Sequence, residues 1–149
     1  LRTLGTAPGG EPEVRAATAT PRESDPRVDA ELSADLGFPS GATAHFRSSF
    51  VLPEMTFTMH IRGSTGEALA HNFVVAALDN RITVVSGGER VVEHHGDKTT
   101  YTYQLEAFGR HVLDGEEIPT DSADALTQAR LIDQCYEAAG LPLRPVTAL

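Results

Sequence analysis

This chain of 149 residues contains no tryptophan, one cysteine and one lysine. A single cysteine, Cys135, excludes an internal disulfide and any zinc site built on several thiolates. It also fits a reducing compartment, so the expected location is the cytoplasm. Lys and Arg number 12 against 21 Asp and Glu, for a net charge of −9. A phosphate-binding surface needs clustered cations, so nucleic acid and anionic membranes are not expected partners. No apolar run approaches the roughly 20 residues needed to span a bilayer. Leu1 to Gly5 carry no long apolar stretch, so no signal peptide is expected.

What is present is globular. Hydrophobic residues make up 40% and charged residues 22%, as in ordinary folded domains. The length suits one domain, read here as residues 1–149. Leu1 to Leu4, followed by Gly5, reads as the last turn of a helix with a glycine cap. One turn does not nucleate alone. An upstream part carrying the rest of that helix is therefore expected.

Residues 5–12 form a Pro/Gly loop and 13–20 alternate as a weakly apolar strand. In that strand Val14, Ala16 and Thr18 are expected on one face, and Arg15, Ala17 and Ala19 on the other. Residues 21–27, with two prolines, read as a loop. In 28–36, Val28, Ala30, Leu32, Ala34 and Leu36 alternate with polar residues, which describes a strand with one wet face. Phe38 to Gly41 turn the chain into a partner strand over 42–50. Further strands are expected at 56–62, 67–78, 81–86 and 89–94, the last two joined at Gly87-Gly88.

The period then changes from 2 to 3.6. Tyr101, Leu105, Phe108 and Val112 are spaced 4, 3 and 4 apart and form one helical stripe, with Gly115 as its cap. The residues from Pro119 to Ser122 open a second helix with good N-cap chemistry. Leu126, Ala129, Ile132, Cys135, Tyr136 and Ala139 line its apolar side, and Gly140 and Pro142 stop it. Strands first and helices afterwards predict an α+β fold, an open, mostly antiparallel sheet with helices packed on one face.

Residues 103–126 (Tyr103 to Leu126) resemble the C-terminal signature of the Gfo/Idh/MocA oxidoreductases. In that pattern an aromatic residue precedes a Phe, and a Gly-to-Pro segment opens the last long helix. Residues 129–141 resemble the end of that helix, and 32–46 the hairpin of the same domain. Leu1 to Gly5 resemble the end of the helix that carries the family's catalytic Asp and His. The resemblance implies a dihydrodipicolinate-reductase-like C-terminal domain. It also implies NAD or NADP in the parent enzyme, a sugar, polyol or similar hydroxylated substrate, and a homo-oligomer formed through the sheet face.

The chain departs from the family in what it omits. A dinucleotide fingerprint must follow a strand and open a helix, so that backbone N–H groups hold the pyrophosphate. Gly9-Gly10 and Gly87-Gly88 sit in loops without that context. The family's Glu-Lys-Pro lysine is missing, since the one lysine is Lys98. The Rossmann domain and the catalytic groups are expected upstream of Leu1. No catalytic, cofactor-binding or metal-binding residue is therefore expected here, and the chain alone is expected to be inactive.

Six histidines raise the question of a metal. His60 and His71 flank a turn, while His94 and His95 are adjacent and would point to opposite faces of a regular strand. No His pair has helical ligand spacing. Satisfied or solvated histidines are the simpler reading. No Gly-x-Ser-x-Gly elbow is present. Cys135 on an apolar helix face reads as a buried structural thiol. The resemblance places substrate contacts near the 50–57 connection, at Phe50, Glu54 and Met55, and at Tyr101. Packing roles for Phe50, Met55 and Tyr101 are the competing reading. Two functional alternatives stand beside a dehydrogenase half: a non-enzymatic α+β dimerisation module, and a small-molecule-binding module with its own pocket.

Overall fold

A computed structural model describes residues 10–96, 98–118 and 120–143. The helix end expected over Leu1 to Gly5, and Pro119 at the second helix start, lie outside the described residues. The elements are β1 (Glu13–Arg22), β2 (Asp25–Gly37), β3 (Thr43–Ser49), β4 (Met59–Arg62), β5 (Gly66–Ala70), β6 (Arg81–Ser86), β7 (Glu89–His94), α1 (Thr100–Asp114) and α2 (Ser122–Ala138). Every strand pairing is antiparallel, as expected for this α+β fold. The strands form two sheets, ordered β1-β2-β3 and β4-β5-β6-β7. The chain divides into two compact units. One holds the described residues up to Pro53 with those after Ile118, and the other is Glu54–Ile118.

In the first unit the loop expected at 21–27 shrinks to Glu23-Ser24, because β1 and β2 pair out to Arg22 and Asp25. Both prolines are tolerated for a reason of position. Pro21 lies on an edge strand at a register irregularity, where its missing N–H breaks no regular ladder. Pro26 lies in the part of β2 beyond Glu31, where β3 no longer pairs. Asp25 braces the turn by accepting from the Arg27 backbone N–H at 3.1 Å and its guanidinium at 2.8 and 2.9 Å.

Two bulges change which side chains face inward. Val14 pairs with Leu36 but Ala16 pairs with Asp35, so Arg15 is an extra residue in β1. After it the inward positions become Ala17 and Ala19, which pack on the core, while Ala16 and Thr18 are exposed. The simple alternation expected from Val14 through Thr18 is corrected by that bulge. On β2, Ala30, Leu32, Ala34 and Leu36 are buried as expected.

Helix α2 covers this inner face. Asp121 caps it, accepting from the Asp124 backbone N–H at 2.8 Å. Leu131 and Cys135 bury against Leu32, Ala34, Leu36 and Phe38. Each fully buried leucine stabilises the unit by about 1.5–3 kcal/mol. Gly140, at φ 74°, ends the helix in the left-handed conformation. Leu141 then donates its N–H to the Tyr136 carbonyl at 2.9 Å and tucks its side chain in.

The second unit is a four-stranded meander followed by α1. Gly87 and Gly88 both take positive φ, 60° and 84°, and make the tight β6–β7 hairpin. The strand expected at 56–62 is shorter, Met59–Arg62, and that at 67–78 ends at Ala70. The Asn72 side chain accepts from the Val75 N–H at 2.8 Å, and Leu78 donates to the Val75 carbonyl at 2.9 Å. These local bonds turn the apolar run 73–78 away from the ladder. Helix α1 forms between its Thr99 cap and Gly115. No residue of α1 is buried, and Tyr101, Leu105, Phe108 and Val112 are all exposed. Helical spacing decides which side of a helix is apolar, but not what covers it. No helix among the described residues is long and apolar enough to cross a membrane.

Candidate ligand-binding site

The second bulge creates a chemically distinctive corner of the first unit. Thr20 pairs with Glu31 and Pro21 with Asp29, so Ala30 is an extra residue in β2. A bulge reverses the side-chain parity that follows it. Asp29 would face outward with Glu31, Ser33 and Asp35 on a regular strand. The bulge turns it onto the face covered by α2, where only 9% of it is exposed. There the Tyr136 hydroxyl donates to its carboxylate. A buried carboxylate without a donor is costly, and this phenol supplies one.

Asp29 and Tyr136 stand at the wall of a cavity of about 370 Å³ between α2 and the sheet. Leu32, Leu36, Phe46, Leu131 and Ile132 make its apolar surface, and Phe50 stands at its mouth, largely exposed. Ser48 and Gln128 bring a hydroxyl and an amide to the same cavity. Cys135 also lines it. Burial pushes its thiol pKa up, so it stays protonated and behaves as a small apolar group.

The opposite face of this sheet is polar and wet. Asp35 accepts from His45 at 2.8 Å, and Glu31 from Arg47 at 2.7 Å and Ser49 at 2.9 Å. Those donors, Ser49 first and Arg47 next, lower the pKa of Glu31.

The four residues expected at a substrate site are not drawn into one cavity. Phe50 belongs to the cavity under α2. Tyr101 lines a shallow hollow of about 460 Å³ in the second unit, with Val74, Val75, Ala77, Thr99, Thr100 and Gln104. Glu54 and Met55 are exposed and line neither. Asp29, Ser48, Gln128 and Tyr136 were not legible as a group. Asp29 and Ser48 read as ordinary members of alternating strands, and nothing in the local pattern marks the bulge at Ala30.

The histidines each find their own partner. His45 bonds Asp35, His60 bonds Glu67, His71 bonds the buried Thr83, His94 bonds Asn80, His95 bonds Glu93, and His111 bonds the Glu116 carbonyl. Asp79 grips Arg81 through two bonds of 2.7 Å, which hold its carboxyl well below the usual range.

Several of the described glycines have turn and capping roles. Gly87 and Gly88 join two strands, Gly41 closes the β2–β3 turn, and Gly115 and Gly140 end helices. Gly96 does fall between β7 and α1, but its Cβ position is filled by the Tyr103 hydroxyl and no second glycine accompanies it.

Comparison with known proteins agrees with the fold. No family model matches the chain. A D-xylose 1-dehydrogenase (NADP(+)) of Haloferax volcanii is 33% identical over 134 residues, covering 87% of this chain and 40% of that protein. An aldose-aldose oxidoreductase from Caulobacter crescentus, solved with glycerol, matches at 25% identity and a TM-score of 0.73, over 87% of this chain and 39% of that one. A 3-ketoreductase from Actinomadura kijaniata, solved with TDP-benzene and NADP, matches at 25% identity and a TM-score of 0.71, over 89% of this chain and 42% of that one. The chain thus spans about two-fifths of the length of these relatives.

Proposed function

This chain is a C-terminal domain of the Gfo/Idh/MocA oxidoreductase type, and we propose that it is the substrate-binding and oligomerisation half of an NAD(P)-dependent dehydrogenase. The parent enzyme acts on a sugar, polyol or similar hydroxylated molecule in the cytoplasm. The observation that carries this reading is the 33% identity, over 134 residues, to a D-xylose 1-dehydrogenase that uses NADP(+). The relatives extend well beyond the matched region. A Rossmann domain in the remainder of the parent protein is the natural holder of the cofactor.

When bound there, the nicotinamide supplies the hydride acceptor or donor. This chain's own residues do other work. Phe50 of the first unit, and Glu54, Met55 and Tyr101 of the second, are each proposed to touch the substrate in the parent enzyme. The polar outer face of the first sheet, with Glu31, Asp35, His45 and Arg47, suits a self-complementary interface between copies. The 149-residue chain alone is inactive in this reading, because the cofactor is held by the remainder of the parent protein.

The test is an assay of the longer protein. Purified with its upstream domain, it should reduce NADP(+) or NAD(+) in the presence of an aldose such as D-xylose. The separate chain should do neither. A longer protein that binds no nicotinamide cofactor and oxidises no sugar or polyol would overturn the proposal.

A further inference from the structure

The cavity under α2 holds, within its apolar lining, a buried carboxylate that packing alone does not call for. An apolar core between a helix and a sheet is best filled with aliphatic side chains. Here a bulge at Ala30 brings a carboxylate into it, and a tyrosine on α2 fixes that carboxylate in place. The exposed side chains of Ser48 and Gln128 line the rim of the same space and make no side-chain hydrogen bond among the described residues. Two aromatic rings, Phe46 and Phe50, stand on the sheet side. A concave, mostly apolar space with a few convergent polar groups is the usual form of a small-molecule site.

We propose that this cavity, between α2 and the first sheet, binds a small, uncharged, unphosphorylated sugar or polyol. The proposal rests on the sugar-directed reading and goes beyond it, adding a sugar seat within the first unit that Glu54, Met55 and Tyr101 do not line. Four features select the ligand. At about 370 Å³ the cavity lies at the small end of ligand pockets, which suits a monosaccharide and is too small for a dinucleotide. The Asp29 carboxylate accepts from hydroxyl groups, and it repels a phosphate in a space walled by apolar side chains. The rings of Phe46 and Phe50 offer a flat apolar surface to the C–H face of a pyranose, while Ser48 and Gln128 reach its hydroxyl edge. Chains with this net charge of −9 also give an anionic ligand no long-range attraction.

The experiment is a titration of the 149-residue chain, isotopically labelled, with D-xylose, D-glucose and glucose 6-phosphate, followed by amide NMR shifts. The neutral sugars should shift Ser48, Phe50, Gln128, Ile132 and Tyr136 saturably, with a dissociation constant in the millimolar range. Glucose 6-phosphate should bind at least tenfold more weakly. Ser48→Val and Gln128→Ala should each weaken xylose binding about fivefold, the worth of one neutral hydrogen bond. Both positions are exposed, so the melting temperature should not move. Binding of the phosphate as tightly as of the neutral sugar overturns the proposal, as does a response that ignores both variants. No response to any sugar also overturns it, and leaves the groove to an apolar segment of the longer protein. None of these failures touches the dehydrogenase reading, which is decided by cofactor reduction in the longer protein.

Discussion

The Tyr136 hydroxyl reaches across 107 positions of sequence to donate to the Asp29 carboxylate. One partner lies near the end of the last helix and the other at a bulge in the second strand. The bond ties α2 to the sheet it covers. Tyr136→Phe removes the donor and leaves the carboxylate in a mostly closed site, so it should destabilise the first unit by about 1.5–3 kcal/mol. Urea unfolding of the variant beside the parent measures this. A loss below the error of the midpoint would show that water replaces the phenol.

Two glycines should respond differently to alanine. A Cβ at Gly37 would meet the Arg15 guanidinium at 2.1 Å, and a Cβ at Gly66 would meet the Val85 carbonyl oxygen at 2.2 Å. The arginine end can swing away, whereas the backbone of the neighbouring strand is held in the β5–β6 ladder. Gly66→Ala should therefore cost about 1–3 kcal/mol, as overpacking does, and Gly37→Ala distinctly less. Thermal unfolding of the two variants ranks them.

The pairing of Glu31 with Ser49 and Arg47 predicts a definite pH dependence. The folded state holds the Glu31 pKa below its ordinary value of 4.5. A depressed carboxyl contributes stability above the unfolded pKa, and loses it as pH falls through the folded value. Between pH 5 and 3 the parent should lose more stability than Glu31→Gln. Denaturation midpoints taken across that window decide it, and parallel curves would refute it.

Cys135 is almost fully enclosed and its thiol is kept protonated by burial. In the native state it should react with a thiol-specific reagent far more slowly than free cysteine, and the rate should rise with urea as the unit opens. Cys135→Ser places a hydroxyl among Leu32, Ala34 and Tyr136, with an expected cost of about 1–3 kcal/mol. Absorbance during labelling, with and without urea, tests the first point.

Self-association through the outer face of the first sheet predicts a particle heavier than the 15.9 kDa of one chain. Arg47→Glu would set like charges beside Glu31, now 2.7 Å from the arginine, and should push the assembly toward monomer. Light scattering of both proteins reads the outcome. A monomeric parent would end the oligomer proposal.

Composition and periodicity alone determined the element types. Period-2 runs at 13–20, 28–36, 42–50, 81–86 and 89–94 became strands, because alternation is what a half-buried strand requires. The 4, 3, 4 spacing from Tyr101 and the Asp121 cap likewise marked both helices. The family was legible too, since its motifs lie in the turns and helix ends that local chemistry dictates. Only the tertiary structure decided which side chains meet. The extra residues at Arg15 and Ala30 are visible only against a paired strand, since a bulge is a mismatch between two strands and has no signature in one. That mismatch turns Ala17 and Ala19 inward, and it moves Asp29 from the wet face to the cavity with Tyr136. The same limit explains the exposed stripe of α1, since its apolar side follows from sequence while burial depends on what lies against it.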